Sequence, residues 1–329
     1  MPRFYSSSPS YYQELTNQTE LSHVSEDEFQ KAWRPRKYTW YMRVYQLICF
    51  FVFLGPIRAI IGFTVFALAM ITIVVIRILI RAFHLSKNSL KQFCISIANF
   101  GFRFILFAFG ILHIKINGKY DPETRIIIAN HTGYVDPMIC SCVHHLTVVM
   151  KIEIAHNLFN RLLMEIVDPV YVDRKTSRGA SQQVVERANN PKYNPVLIFP
   201  EATINNGDHL LKFHRGAFLT DRKVQPFCLT YWQPFVPKGW NQYAWTESST
   251  LLYMFEVLSM PFTFVSVDIL DPMTLPVEGH GNVEQFAEYA ELVMANHLGV
   301  KAISNSSDEI FKKKKEEKEP KATQNIKND

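Results

Sequence analysis

Hydrophobic and polar positions divide the chain into four stretches. Residues 1–40 are polar, rich in Ser, Gln and Glu, and show no apolar period. They predict a disordered arm with no cleavable signal peptide. From Tyr45 the run YQLICFFVFLGPIRAIIGFTVFALAMITIVVIRILI is nearly continuous apolar sequence, broken by Gly55-Pro56, Arg58 and Arg77. The 18 residues between those arginines, 59 to 76, carry no charge, close to the roughly 20 apolar residues a membrane span needs. Trp33, Tyr38, Trp40, Tyr41 and Tyr45 precede it, where an aromatic belt would sit. Lysines and arginines flank it on both sides, so charge does not orient a single span. Residues 41–112 therefore predict an anchor, either a membrane helix or a re-entrant helical hairpin bending near Gly55-Pro56. A second apolar piece, 104–112, is too short to span alone and is expected in the interface or packed on the first.

Residues 113–304 change pattern again. Ile114-Lys115-Ile116 alternates and meets Asn117-Gly118, a two-residue hairpin signal. Short unbroken apolar runs follow at Ile126–Ala129, Thr147–Met150, Val170–Val172, Val196–Phe199, Val224–Leu229 and Phe262–Val267, the signature of strands covered on both faces. Helical patterns lie between several of them, at Ala155–Val167 and Ser177–Ala188. The clearest is Val283–His297, with Asn282 as N-cap, Gln285 completing a capping box and Gly299 as the stop. The alternation predicts an α/β domain, a mixed, mostly parallel sheet flanked by helices. Residues 305–329, with Lys312 to Lys315 followed by Glu316, Glu317 and Glu319, predict a charged disordered tail.

Composition narrows the function classes. The chain has 329 residues, 48% hydrophobic and 20% charged, with net charge +5. That is too weak a charge to indicate nucleic acid, but it suits an anionic membrane surface or a phosphorylated substrate. Five cysteines are too few, and odd in number, for a disulfide scaffold. They fit reduced thiols in a domain facing the cytosol. Cys140, Cys142, His144 and His145 invite a zinc reading, but no second pair is spaced to close a tetrahedral site, so no metal is expected.

Candidate chemistry gathers where strands end. Ile126–Ala129 runs into Asn130-His131-Thr132-Gly133-Tyr134-Val135-Asp136-Pro137. Pro137 marks a helix start and places Asp136 at the N-cap. Its carboxylate can accept Nδ1–H of His131 and leave Nε2 free to take a proton from a hydroxyl. Spacing alone is served equally well by a capping aspartate beside a loop histidine. No G-x-S-x-G elbow supplies a protein nucleophile, so the hydroxyl would belong to a substrate. Val170–Val172 leads to Arg174, and Val196–Phe199 leads to Pro200-Glu201-Ala202-Thr203. Ligands of open α/β sheets sit at such carboxyl ends, which predicts that His131, Arg174 and Glu201 converge. Lys212, Arg215 and Gly216 follow in Lys212-Phe213-His214-Arg215-Gly216-Ala217-Phe218.

These residues together resemble the lysophospholipid acyltransferase family, whose four sequence blocks occur in fixed order. His131 and Asp136 match its first block, Val172-Asp173-Arg174 is similar to the second, Phe199-Pro200-Glu201-Ala202-Thr203 to the third, and Val224-Gln225-Pro226 to the fourth. The extended likeness, through Tyr243-Ala244-Trp245-Thr246 to Met294–Val300, is greatest to the lysophosphatidylcholine acyltransferase branch. The resemblance implies an acyl-CoA-dependent O-acyltransferase acting on lysophosphatidylcholine-type or lysophosphatidic acid acceptors. His131 and Asp136 would be catalytic. Arg174, Glu201, Thr203, Lys212, Arg215, Gly216 and Pro226 would bind substrate. Acyl-CoA is the co-substrate and no cofactor is required. The setting implied is the endoplasmic reticulum membrane, with the catalytic domain facing the cytosol. Two rivals stay open, a CoA-independent phospholipid transacylase and an inactive lipid-binding scaffold. One departure stands out: Ala202 replaces the usual glycine of the third block, and alanine there strains the loop if the position needs positive φ.

Overall fold

The computed structural model describes residues 18–33, 38–86, 90–151, 169–172, 180–233, 243–244, 249–274 and 282–309. The helices are α1 (Glu26–Lys31), α2 (Trp40–Val52), α3 (Gly55–Ala82), α4 (Lys91–Ala108), α5 (Asp136–Val143), α6 (Ala180–Asn189), α7 (Thr250–Leu258) and α8 (Val283–Leu298). The strands are β1 (Ile111–Asn117), β2 (Ile126–Ala129), β3 (Thr147–Lys151), β4 (Val170–Val172), β5 (Val196–Ile198), β6 (His209–Leu211), β7 (Val224–Trp232), β8 (Thr263–Ile269) and β9 (Lys301–Ile303).

Seven strands form one sheet in the order β1-β8-β7-β2-β5-β3-β4. Every neighbour pair is parallel except β7 with β8. This is the mixed, mostly parallel sheet the alternating apolar runs predict. Its centre is dry on both faces. Ile127 and Ala129 of β2 enter one core with Ile139, Leu197, Phe227 and Tyr231. Ile126 and Ile128 enter the other with Val184, Val224, Phe286 and Met294. Successive strand side chains point to opposite faces, so a four-residue apolar run covered on both sides must be apolar throughout. Helix α8 starts and stops where its sequence says: Asn282 and Gln285 form the reciprocal capping box and Gly299 adopts φ 69°.

The anchor region keeps the long apolar helix that the sequence predicts, and differs in where the chain turns back. The chain does break near Gly55, where Leu54 takes φ 55°, but α3 then runs unbroken for 28 residues. At about 1.5 Å per residue that is about 42 Å, longer than the roughly 30 Å hydrocarbon core. It is the one helix among the described residues long and apolar enough to cross a membrane. Its long partner is α4, so the hairpin turns between α3 and α4 instead of at Gly55-Pro56. The apolar piece 104–112 is the end of α4 and the start of β1, packed on α3. The two helices meet through small residues. A Cβ on Gly62 would lie 2.4 Å from the Phe104 carbonyl oxygen, and one on Gly101 would lie 3.1 Å from Ala69 Cβ. The outer faces stay apolar and exposed, with Ile60, Leu68, Ile71 and Leu79 on α3 and Phe93 and Phe100 on α4. Inside, Arg58 is buried and donates to the carbonyls of Leu258, Met260 and Pro261 at 3.1, 2.7 and 3.1 Å. It thereby caps the end of α7.

Three further expectations are corrected. Residues 18–33 are not a disordered arm. Val24 and Phe29 bury against Leu211 and Ile303, and Ser22 bridges Ile303. Two apolar residues here find a hydrophobic site some 180 to 280 positions away, which no local pattern discloses. Asn117-Gly118 is not a hairpin, because β1 pairs in parallel with β8. Gly118 sits at φ 84° where a Cβ would strike the Ile269 carbonyl oxygen at 2.1 Å, so the dipeptide marks a turn without a pairing. Asn305 is buried, with its side chain accepting from the Val24 amide at 3.1 Å. The expected tail thus begins inside the fold, and the stretch beyond 309 lies outside the described residues, as do 1–17 and the helix expected at Ala155–Val167.

Candidate active site

The site is built by the turn that leaves β2. His131 follows the strand, and Asp136 opens α5 as its first residue, with Val135 in the cap position. The carboxylate turns back over the loop. Its Oδ2 accepts from Nδ1 of His131 at 3.0 Å and from the amides of Thr132 and Gly133 at 2.7 and 2.8 Å. Oδ1 accepts from the Tyr231 hydroxyl. Asp136 is 0% exposed, and four donors hold it as an acceptor. With a carboxylate on Nδ1, the imidazole carries its proton there and presents Nε2 as a base. The His131 side chain is 16% exposed, so a substrate can reach it. Its ring stacks on Phe199 with centroids 4.0 Å apart.

A second carboxylate braces the turn from behind. Glu201, 1% exposed, accepts from the His131 amide at 3.0 Å, the Asn205 side chain at 2.7 Å and the Leu211 amide at 3.1 Å. Burial pushes its carboxyl up to about 7 against those three donors, with Asp136 adding to the rise. Asn205 also donates its own amide to the His131 carbonyl at 3.3 Å. Between Glu201 and Asn205 the chain passes through Ala202 at φ 56°. The third block therefore does require a left-handed residue here, and alanine occupies it with some strain.

The expected convergence is partial. His131 and Asp136 are in contact, and Glu201 joins them through the backbone, directed under the loop. Arg174 lies outside the described residues. Thr203 contacts the Ile204 carbonyl at 3.4 Å. Lys212 is exposed just after β6, and Arg215 pairs with Glu284 at 3.1 Å at the start of α8. Among the described residues no hydrogen bond or ion pair joins either cation to the His131–Asp136 pair. A Cβ at Gly216 would meet only Ser181 Oγ at 3.5 Å, so nothing in its surroundings demands glycine. Pro226 is buried in β7 opposite Ile128. The backbone amides of Thr132 and Gly133 bind Asp136, so they are not free to stabilise an oxyanion. A cavity of about 40 Å³ behind the turn is lined by Asn130, Thr132, Glu201 and His209. His131 does not line it, so it is a separate space from the mouth of the site. The residues of the zinc reading diverge: Cys140 is buried, His144 stacks on Tyr120 and His145 meets Gln92. Among the described residues no three potential ligands gather.

Sequence reasoning passed over Phe199, Asn205 and Tyr231. Phe199 and Asn205 flank Glu201 closely enough that a loop around a buried acid was foreseeable. Tyr231 carried no signal beyond an aromatic in a strand.

Comparison with known proteins agrees with this geometry. Residues 113–230 match the family model Acyltransferase. The chain is 28% identical over 217 residues to "Lysophospholipid acyltransferase LPEAT2" of Arabidopsis thaliana, covering 64% of this chain and 39% of that protein. It is 27% identical over 207 residues to "Lysophospholipid acyltransferase LPCAT4" of Homo sapiens, covering 61% and 39%. To "Lysophosphatidylcholine acyltransferase 1" of Homo sapiens it is 27% identical over 205 residues, covering 60% and 38%. The matched part is thus about two fifths of the length of these relatives. The crystal structure of the 1-acyl-sn-glycerophosphate acyltransferase PlsC from Thermotoga maritima shares the fold. Its TM-score is 0.52 at 16% identity, over 74% of this chain and 96% of that one. Residues 113–230 thus match the Acyltransferase family model, in a chain similar in sequence to lysophospholipid acyltransferases and in fold to PlsC.

Proposed function

We propose that the protein transfers a fatty acyl chain from acyl-CoA to the free hydroxyl of a lysophospholipid at a membrane surface. The observation that carries this reading is the 3.0 Å contact between Nδ1 of His131 and the buried Asp136, which leaves Nε2 of a partly exposed imidazole free to act as a base. Nε2 removes the hydroxyl proton as the acceptor oxygen bonds to the thioester carbon. The tetrahedral intermediate then expels the CoA thiolate, which takes that proton back from the imidazolium. Such base assistance is worth about 10²–10⁴-fold. Arg174 would hold the acceptor phosphate, for which a planar guanidinium is suited. The exposed apolar faces of α3 and α4 would lie in lipid, putting acyl chains and site on the same surface. The named relatives favour lysophosphatidylcholine or other lysophospholipid acceptors. All five cysteines are free and four are buried, in keeping with a cytosol-facing domain on the endoplasmic reticulum.

The test is an acceptor panel with one acyl-CoA in detergent micelles, following free thiol release by the full chain. Release that requires a lysophospholipid is expected, and Arg174→Ala should raise the acceptor KM more than the acyl-CoA KM. Transfer between two phospholipids without acyl-CoA would replace this reading with a transacylase. No transfer of any kind would leave a lipid-binding scaffold.

A further inference from the structure

We infer that Tyr231 is a positioning residue for acyl transfer: its hydroxyl pins Oδ1 of Asp136, which keeps Oδ2 aimed at His131. The inference rests on the acyl-transfer reading above and adds a residue five positions beyond Pro226, outside the four blocks.

The two oxygens of Asp136 are used unequally. Oδ2 accepts three donors from the turn itself. Oδ1 accepts, among the described residues, from Tyr231 alone. A carboxylate swings broadly about its terminal torsion, and one anchored oxygen fixes where the other points. The turn cannot supply that anchor, since all its donors lie on the Oδ2 side. Strand β7, the neighbour of β2 in the sheet, supplies it.

Tyr231 is itself immobilised. Its ring stacks on Tyr243 with centroids 5.3 Å apart. The Tyr243 hydroxyl donates to the Phe109 carbonyl at 2.7 Å and lies 3.1 Å from Thr263 Oγ1. Tyr253 of α7 donates to the Tyr243 carbonyl at 3.0 Å. Two residues back along β7, the Asn130 side chain binds both backbone groups of Leu229, at 2.8 and 3.1 Å. The hydroxyl that reaches Asp136 is therefore placed by both the sheet and the helix layer. Burial and the neighbouring carboxylate push the Tyr231 phenol well above its usual range, so it stays a donor throughout the working pH range. The other titratable groups around Asp136 are His131 on the turn, Cys140 on α5, Glu201 on the loop after β5 and Tyr253 on α7.

The experiment is a pH–rate profile of the full chain in micelles, by thiol release, for three forms. Tyr231→Phe keeps the ring and its stack and removes the donor. Its kcat should fall about 10- to 100-fold, with both KM values little changed. The acid limb should move up by about one pH unit, because losing a donor on the carboxylate raises the proton affinity of the coupled pair. Site-specific 3-fluorotyrosine at 231, a stronger donor of nearly the same size, should move the limb down. Tyr120→Phe removes a hydroxyl that donates to the Thr124 carbonyl and does not touch Asp136, and should lower the melting temperature while leaving the limb in place. A folded Tyr231→Phe protein with the parental kcat and acid limb overturns the inference. If that variant does not fold, an unmoved limb in the fluorotyrosine protein overturns it. Should the parent protein release no thiol at all, the acyl-transfer reading fails separately. The His131 Nδ1–H proton resonance then reads the same geometry without turnover, and an unchanged resonance in the fluorotyrosine protein overturns the positioning role.

Discussion

The turn after β2 and the α3–α4 pair are held by opposite means. Around His131 and Asp136 the fixing forces are hydrogen bonds to buried polar groups, each with a named partner. Between α3 and α4 they are close packing of small residues around Gly62 and Gly101, with buried Arg77 near Cys94 farther along the pair. A buried polar group that loses its partner costs more than the bond was worth, so the turn is intolerant at almost every side chain. An apolar helix pair loses only area and contact, except where two backbones approach too closely for any side chain. The site is thus fragile by chemistry and the anchor is fragile by shape.

The contrast can be broken most sharply at the base. His131→Ala should slow thiol release by about 10²–10⁴-fold, while the variant stays folded by circular dichroism and melts somewhat lower, because Asp136 loses one of its four donors. A parent-like rate would remove general-base catalysis from the turn. Gly62→Leu drives a side chain into the Phe104 carbonyl and should destabilise the protein by about 1–3 kcal/mol or more. Leu68→Ala on the exposed outer face should leave the melt in detergent nearly unchanged. Equal effects from the two would show that packing does not set the anchor.

Glu201→Gln sharpens the comparison from the polar side. Its three donors all face oxygens, so an amide nitrogen must oppose an N–H, and kcat should fall about tenfold. The same group gives a signed pH effect. Burial raises its folded-state titration to about 7 from 4.5, so folding favours the protonated acid. That stabilisation is fully present below about 4.5 and is lost as pH rises through about 7, by up to about 3 kcal/mol. The parent melting temperature should decline across this window relative to Glu201→Gln; parallel curves would place the proton elsewhere. The smallest effect is a gain. Ala202→Gly relieves a non-glycine residue at φ 56° and should raise stability by up to about 1 kcal/mol in urea unfolding. A loss would mean the alanine methyl is packed to advantage.

Where the physics is local, the sequence was readable. Ile126–Ala129 declared a doubly covered strand, Asn282, Gln285 and Gly299 bounded α8, and the His-to-Asp spacing allowed a contact that it did not by itself separate from a capping aspartate beside a loop histidine. At Ala202 the usual glycine raised positive φ only as a condition, and the loop meets it at φ 56°. Where a partner is remote, the reading stopped. Strands β6 and β9, three residues each, exist because His209–Leu211 and Lys301–Ile303 meet across some 90 positions. Phe29 is buried only because Leu211 and Ile303 wait for it. Asn117-Gly118 has hairpin chemistry, yet β8 competes successfully for the strand before it. Glu201 looked like a ligand for substrate because a strand delivers it to the functional edge. The three backbone and side-chain donors that turn it inward come from residues 131, 205 and 211, and no spacing rule joins them.

Arg58 has a mechanical meaning beyond its hydrogen bonds. One guanidinium grips three carbonyls just where α7 runs out, and α7 carries the tyrosine that leans on the sheet behind Asp136. If α3 lies in lipid as proposed, a leash would let the globular part tumble above the bilayer, whereas this clasp would make the apolar helix a fixed mount, and any tilt of α3 would also tilt the reactive mouth.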